Sequence, residues 1–532
     1  MSRAIVHRSS WLALAVVGIV LLVGLLPIET ISSPASRRQL QLSVALAAGS
    51  ALIAILFATP LAVILTRVKI VGRDFAWFVV ALLLFAPLYV QLAGWDAVGA
   101  WLELFGRSAP QAPLTGLASS IWVHGVAAVP WAVVIIAAGL AQVPRHEEEL
   151  ALLEAPLGAL FAKILLPRIA PWIVAAGCFA AVVSWQDMTV TNVYLVPTVT
   201  EGIYNQIAIN HSLSAAGDAV NAVVYWLPGM VVLVGLFCLA AVVSQRLLQS
   251  DFPKSSYEPI MWPVGRFRLV FTLFVWITLV LLAGIPLYVL LRQCGLQLRL
   301  QGGELTRQWH PLIFLRSLQR ALMTMHEDFF WTLVTSATAA TSALVVATVV
   351  AWWGRAGGWR LFAITLGATF LLAIPGPVVG LAVMNMLNQP AVPGFTWLYD
   401  RTIAAPALAQ AIRALPLVLL LVWHGLARFD RNQQEAAELD GCGAWTILTR
   451  IVLPQRWRAL VAGWGLAFAI SLGDVACSLL VIPPGKDTIA RRIFGMVHSG
   501  VDDQVAAACL LLMILMAVAV AVVSPKLKGV ES

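Results

Sequence analysis

Glu435-Ala436-Ala437-Glu438-Leu439-Asp440-Gly441, followed twelve residues on by Leu453-Pro454, is a polar interruption between two long apolar runs. Glu and Ala favour helix. Small Ala side chains let a helix approach a second surface closely, and Gly441 is free to take a positive φ and turn the chain. The stretch reads as two short helices meeting at a knuckle, with Glu435 and Glu438 available to basic groups on a partner. A matching stretch stands earlier: Glu148-Glu149-Leu150-Ala151-Leu152-Leu153-Glu154, then Leu166-Pro167. The offset is 287 residues (454 less 167). Glu154 occupies the place of Gly441, and a left-handed turn at a non-Gly residue costs roughly 1 kcal/mol or more. Either the first turn moves toward Pro156-Leu157-Gly158 or the first knuckle has another shape.

The same offset relates Ser184 to Ser471, Asp187 to Asp474, Pro197 to Pro484 and His211-Ser212 to His498-Ser499; one residue more relates Pro87 to Pro375. A repeat fixes architecture before any motif does. We read two homologous units, 1–248 and 266–532, joined by a cytoplasmic linker at 249–265 that carries turn and breaker residues.

Working outward, the chain is 60% apolar and 11% charged over 532 residues, so lipid rather than water is its solvent. Apolar runs near 11–28, 40–66, 75–95, 116–143, 169–185, 222–243, 269–291, 329–353, 361–386, 403–426, 460–480 and 505–523 give about twelve spans of a hydrocarbon core about 30 Å thick. The first, preceded by Arg3 and Arg8, lacks a close small-x-small cleavage site and is kept as a span. The expected fold is an all-α polytopic membrane protein of two six-helix units. Six is even, so the repeats run parallel. With both termini cytoplasmic, about 21 of the Lys and Arg residues fall inside, as orientation by basic loops requires. That spread accounts for the net charge of +8 without a nucleic-acid patch. The six cysteines show no CxxC spacing and read as small packing residues, with no metal site.

The stretch EAAELDG with its following Leu-Pro resembles the EAA loop of permease subunits of binding-protein-dependent ABC importers, with both permease domains fused in one chain. The resemblance implies a type I importer permease of the bacterial inner membrane that alternates access. It implies two cytoplasmic ABC ATPase subunits and an external solute-binding protein as partners. The coupling loops would be Glu148, Glu149, Ala151, Glu154, Gly158, Leu166 and Pro167, and Glu435, Ala436, Ala437, Asp440, Gly441, Leu453 and Pro454. No GxxxxGK[ST] phosphate loop occurs, so this chain is not an enzyme, carries no cofactor, and leaves ATP to its partners. Leu472-Gly473-Asp474, Ser478 to Gly485 and His498-Ser499-Gly500 are similar to ferric-iron-type fused permeases, which implies Fe(III) as solute; thiamine permeases share the twelve-span plan.

Ionisable groups at membrane depth are costly and mark pathways or pairs. Asp187 and Asp474, each twenty residues past its Pro, would favour a cationic solute, with Ser184, Gln186 and Ser471 as polar neighbours. They could equally lie at wet outer helix ends. Arg413 calls for a carboxylate or backbone carbonyls, and His124 and His424 read as packing histidines. A proton-coupled secondary transporter also has twelve spans in two halves, but it needs no EAA-like loops. An embedded enzyme lacks HExxH, GxSxG or any convergent nucleophile and base.

Overall fold

Lipid offers no partner to backbone polar groups, so the apolar runs close their hydrogen bonds internally as helices. The computed structural model describes residues 34–103, 116–210, 260–301, 304–355, 357–389, 391–427, 429–499 and 502–528. The expected spans at 11–28 and 222–243, most of the linker, and the His211-Ser212 landmark lie outside the described residues.

The helices are α1 (Pro34–Arg67), α2 (Arg73–Phe85), α3 (Leu88–Glu103), α4 (Leu117–Leu140), α5 (Arg145–Glu154), α6 (Leu157–Gln186), α7 (Thr189–Val193), α8 (Val199–Asn210) and α9 (Gly265–Cys294). They continue as α10 (Pro311–Gly354), α11 (Trp359–Ala373), α12 (Gly376–Leu387), α13 (Phe395–Arg401), α14 (Ala404–Ala427), α15 (Arg431–Leu439), α16 (Trp457–Leu472), α17 (Ile489–Ser499) and α18 (Asp502–Lys528). Among the described residues six helices are long and apolar enough to cross a membrane, or up to eight with two bent pairs. One departure from an all-helical chain is a hairpin, β1 (Leu296–Gln301) and β2 (Glu304–Trp309), pairing Leu296 with Trp309 through Gln301 with Glu304. Its Leu296, Leu298 and Leu300 recur with strand rather than helix period.

The expected spans at 75–95 and 361–386 are broken. α2 and α3 meet at 103°, and α11 and α12 at 101°. Proline supplies the cause: it lacks an N–H and pushes the preceding residue to extended backbone. Ala86 before Pro87 has ψ 120° and Ile374 before Pro375 has ψ 123°. Such breaks persist at membrane depth only where protein or a wet cavity surrounds them.

The expected span at 460–480 is also shorter than its apolar run. α16 has 16 residues, about 24 Å of helix, less than a hydrocarbon core of about 30 Å. The chain then leaves the helix at Gly473, and Asp474 Oδ2 accepts from Ser478 N at 3.1 Å to hold the irregular turn.

Packing divides the chain into two compact units, one of residues 1–317 and 502–521, the other of 318–501 and 522–532. These are cut by contact, whereas the repeat units are cut by likeness of sequence. In the first unit α1, α4 and α6 pack on one another, and α9 lies on α2 and α3. There Trp276 stacks on Phe75 at 5.8 Å and donates Nε1–H to Val71 O at 3.1 Å.

In the second unit α14 packs against α11, α12 and α16. Its buried Ala407, Ala411, Ala414, Val418 and Val422 share one core cluster with Ala339, Ala340, Ala343 and Ala347 of α10. Small residues allow such close helix contact where lipid gives no hydrophobic drive. The tightest approach to backbone is at Gly380, where an added Cβ would stand 2.6 Å from the Cys477 carbonyl oxygen. Gly380→Ala is therefore expected to displace the 474–481 segment and cost about 1–3 kcal/mol. A thermal melt of the purified chain checks it. Gly495→Ala, with nothing within 4 Å of its Cβ, serves as the tolerated control.

Candidate functional site

The two polar loops resolve into different turns. In the second, Asp430 caps α15 by accepting from Asn432 N at 3.0 Å. The helix ends at Gly441, φ +81°. Gly441 N–H donates to Glu438 O and Cys442 N–H to Ala437 O, both at 3.0 Å, which is the Schellman closure that a left-handed glycine permits. Ala437 is buried, whereas Glu435, Ala436 and Asp440 are exposed and Leu439 is 89% exposed. Leu439 is thus an apolar side chain held out beside carboxylates on a capped knuckle.

The first loop has no positive φ between Arg145 and Pro167. α5 ends on extended Ala155 (φ −138°, ψ 150°) and Pro156 (φ −66°, ψ 154°), so the turn has moved to Ala155-Pro156. Glu154 and Gly158 are exposed, Ala151 is buried and Leu153 is 84% exposed. Glu149 pairs with Arg145 at 2.7 Å. Glu148 is 1% exposed: Arg67 Nε lies 3.1 Å from both its oxygens and Nη2 2.6 Å from Oε1. The same Nη2 donates to Leu140 O at 2.7 Å, and Arg67 O accepts from Trp262 N at 2.7 Å. The ends of α1 and α4 and the first loop are thereby tied at one guanidinium, and the linker's last residues at the same arginine's carbonyl.

Leu166-Pro167 lies within α6, and Leu453-Pro454 stands in a short helical turn, Leu453–Gln455, that leads through Arg456 into α16. Each follows a π turn, Phe161–Leu165 and Leu448–Val452. A proline removes the N–H that the carbonyl four residues back would receive, and the widened turn absorbs the gap. The two π turns are also 287 residues apart (448 less 161).

Beyond these helices lie the two aspartates, both buried. Asp187 Oδ2 accepts from Val190 N at 2.9 Å and lies 3.2 Å from His124 Nε2. His124 Nδ1 is 2.7 Å from Ser120 O. A carbonyl only accepts, so Nδ1 carries a proton, and Nε2 is the nitrogen turned to Asp187. Asp474 Oδ1 lies 3.5 Å from Arg413 Nε. Both Arg413 Nη1 and Ser471 Oγ are buried without a hydrogen-bond partner, as is Gln186 Nε2. Ser184 spends its hydroxyl on Ala180 O at 2.9 Å in its own helix. In each unit, then, a basic group on the helix preceding the loop (α4 or α14) reaches the carboxylate that ends the next span.

Residues 328–528 match the sequence profile of the family described as binding-protein-dependent transport system inner membrane component. The matched stretch holds α15, Gly441, Leu453-Pro454, Asp474 and Arg413, and so takes in the second of the two polar loops and one of the two aspartates. The chain is 38% identical over 101 residues to the spermidine/putrescine transport system permease protein PotC of Escherichia coli K12, covering 19% of this chain and 38% of that one. It is 30% identical over 185 residues to the putrescine transport system permease protein PotI of the same strain, 34% of this chain and 65% of that one. It is 27% identical over 189 residues to the putative molybdenum transport system permease protein YvgM of Bacillus subtilis 168, 32% of this chain and 82% of that one. The chain thus spans well under half the length of PotC.

Two residues of the site were not singled out from sequence. Arg67 is the basic end of an apolar run, a position that orientation alone explains. His124, read as a packing histidine, is packed and is also Asp187's partner.

Proposed function

We propose that the chain is the membrane-spanning, non-enzymatic subunit of an ATP-driven ABC importer, with both permease domains fused. It resides in a bacterial inner membrane with both termini in the cytoplasm. Two cytoplasmic ATPase subunits engage the loops at 145–158 and 431–443, and an external binding protein delivers solute. The observation that carries this reading is the α15 knuckle: a capped, Schellman-closed turn at Gly441 with Leu439 and Glu435 exposed, inside the stretch that matches the family. The solute we assign is a small organic polycation. Buried Asp187 and Asp474 suit a cation rather than an oxyanion, and PotC and PotI are named for spermidine and putrescine. Ferric iron, expected from loop resemblance, has no counterpart in those relatives' names.

Reconstitution in proteoliposomes with the ATPase and binding protein tests this. Uptake of a labelled polyamine should require ATP, with labelled ferric iron and thiamine as competitors. Gly441→Arg puts a bulky side chain on the knuckle, at a φ of +81° that a non-Gly residue adopts at about 1–2 kcal/mol. It should leave the folded chain intact yet lower ATP-coupled uptake at least tenfold. Uptake that proceeds without any ATPase would sink the reading.

A further inference from the structure

Outside the coupling loops and the aspartates, the second unit holds a cavity of about 440 Å³ lined by Glu327, Asp328, Trp331, Lys486, Asp487 and Arg491, within the roughly 300–1,000 Å³ of small-molecule sites. Glu327 lies 27 residues (354 less 327) from the cytoplasmic end of α10, about 40 Å along a helix and so beyond a core of about 30 Å. The cavity faces outward; the inference rests on the proposed importer topology for that orientation alone.

Three carboxylates line it against two basic side chains. Asp328 is only 7% exposed, and its Oδ2 accepts no hydrogen bond. Arg492 Nη1 forms an ion pair with that oxygen at 3.4 Å without donating a hydrogen bond to it. Arg491 is 3.7 Å from Asp487 and half-exposed. A buried carboxylate oxygen without a donor is a costly arrangement unless something supplies one. Beside it, Trp331 already has an ammonium on its ring: Lys486 Nζ lies 4.9 Å from the ring centroid and donates to Arg401 O at 2.6 Å. An aromatic face and an acceptor-only oxygen are the two elements that recognise an organic ammonium.

We propose that this cavity is a binding site for a primary alkylammonium ligand, taken up between Trp331 and Asp328, with Lys486 as an internal competitor for the ring. A diamine would place its second ammonium toward exposed Glu327. The site is separate from the aspartates Asp187 and Asp474 and would receive an amine before the membrane is crossed.

The full chain in nanodiscs, titrated calorimetrically with 1,4-diaminobutane at neutral pH, tests the site without any transport step. The diamine should bind, and 1,4-butanediol should not. Asp328→Asn and Trp331→Ala should each weaken binding at least tenfold, while Trp331→Phe, which keeps a ring, stays within about threefold of the parent. Lys486→Met should tighten binding, an effect that damage to the fold does not produce. Affinity unchanged by Asp328→Asn in a chain with an unaltered melt overturns the site, as does equal binding of the diol. Binding abolished by Asp187→Asn/Asp474→Asn but untouched by Asp328→Asn relocates the amine to the pathway and also overturns it. Failed polyamine uptake by the assembled transporter with diamine binding intact falls on the importer reading alone.

Discussion

Arg67→Ala is expected to cost about 3–5 kcal/mol, the penalty for stranding a buried carboxylate whose partner is removed. Glu148 has two guanidinium nitrogens within 3.1 Å and is almost wholly excluded from solvent, so no water replaces what Arg67 supplies. The substitution also frees Leu140 O from its donor at the end of α4. A much lower melting temperature and loss of intact first-loop structure to limited proteolysis are the measurements. Arg67→Leu/Glu148→Leu should recover most of the loss, because an apolar pair of similar volume replaces a buried ion pair at little cost. A Glu148 that served as a docking carboxylate would behave otherwise: Arg67→Ala would leave the melt unchanged, and only binding of the ATPase would fall.

The second unit provides the comparison. The residue related to Arg67 by the larger offset is Arg355 (355 less 67 is 288). It sits over Trp352 and Phe429 at 4.8 and 5.3 Å and donates to Phe429 O at 3.5 Å. Glu435, related to Glu148 by 287, is exposed. The first loop's leading carboxylate is thus consumed inside the protein, and the second's is presented. On the proposed reading, an ATPase subunit meets charge at Glu435 and Glu438 but a mainly apolar surface around Leu153 at the first loop. Glu435→Gln should then weaken coupling more than Glu149→Gln does.

Period and punctuation carried most of the architecture into the sequence. Long apolar runs fix helices because lipid leaves no alternative, and Pro87 and Pro375 mark the breaks because a proline cannot continue the hydrogen-bond ladder. Gly441 and Leu453-Pro454 were legible for the same reason: each is a backbone requirement that one residue type satisfies. Hydropathy did not reveal that α16 stops at Leu472, since residues 475–482 are almost as apolar as the helix before them while Gly473 and the Asp474 to Ser478 bond redirect the backbone. Side-chain partners were least legible. Arg67 and Glu148 are 81 residues apart and His124 and Asp187 63, and no local spacing rule connects residues so separated. Asp187 and Asp474 look equivalent in sequence, yet one faces an imidazole and the other a guanidinium, because their partners lie outside the conspicuous part of the repeat.

That difference sets the second large effect. Asp187→Asn and Asp474→Asn both keep an oxygen for the backbone donors, Val190 N and Ser478 N, and both delete a charge. At Asp187 the partner is an imidazole, which need carry no charge, but Oδ2 alone meets both Val190 N and His124 Nε2, so the amide either accepts from Val190 N or donates to Nε2, not both. The expected destabilisation is that of one lost hydrogen bond, about 1–2 kcal/mol. At Asp474 the partner is a guanidinium, which stays charged in a protein. Arg413, its side chain 20% exposed and Nη1 already lacking a partner, would be a partly buried cation without its anion, at a cost of about 2–3 kcal/mol, below that of a fully buried pair. Asp474→Asn/Arg413→Gln should restore most of that stability. If the aspartates carry the solute's positive charge, polyamine uptake falls at least tenfold in Asp187→Asn although its melt drops only modestly, and it stays low in the stabilised Asp474→Asn/Arg413→Gln chain. Normal uptake in both would leave the carboxylates as structural partners of His124 and Arg413 and remove them from the pathway.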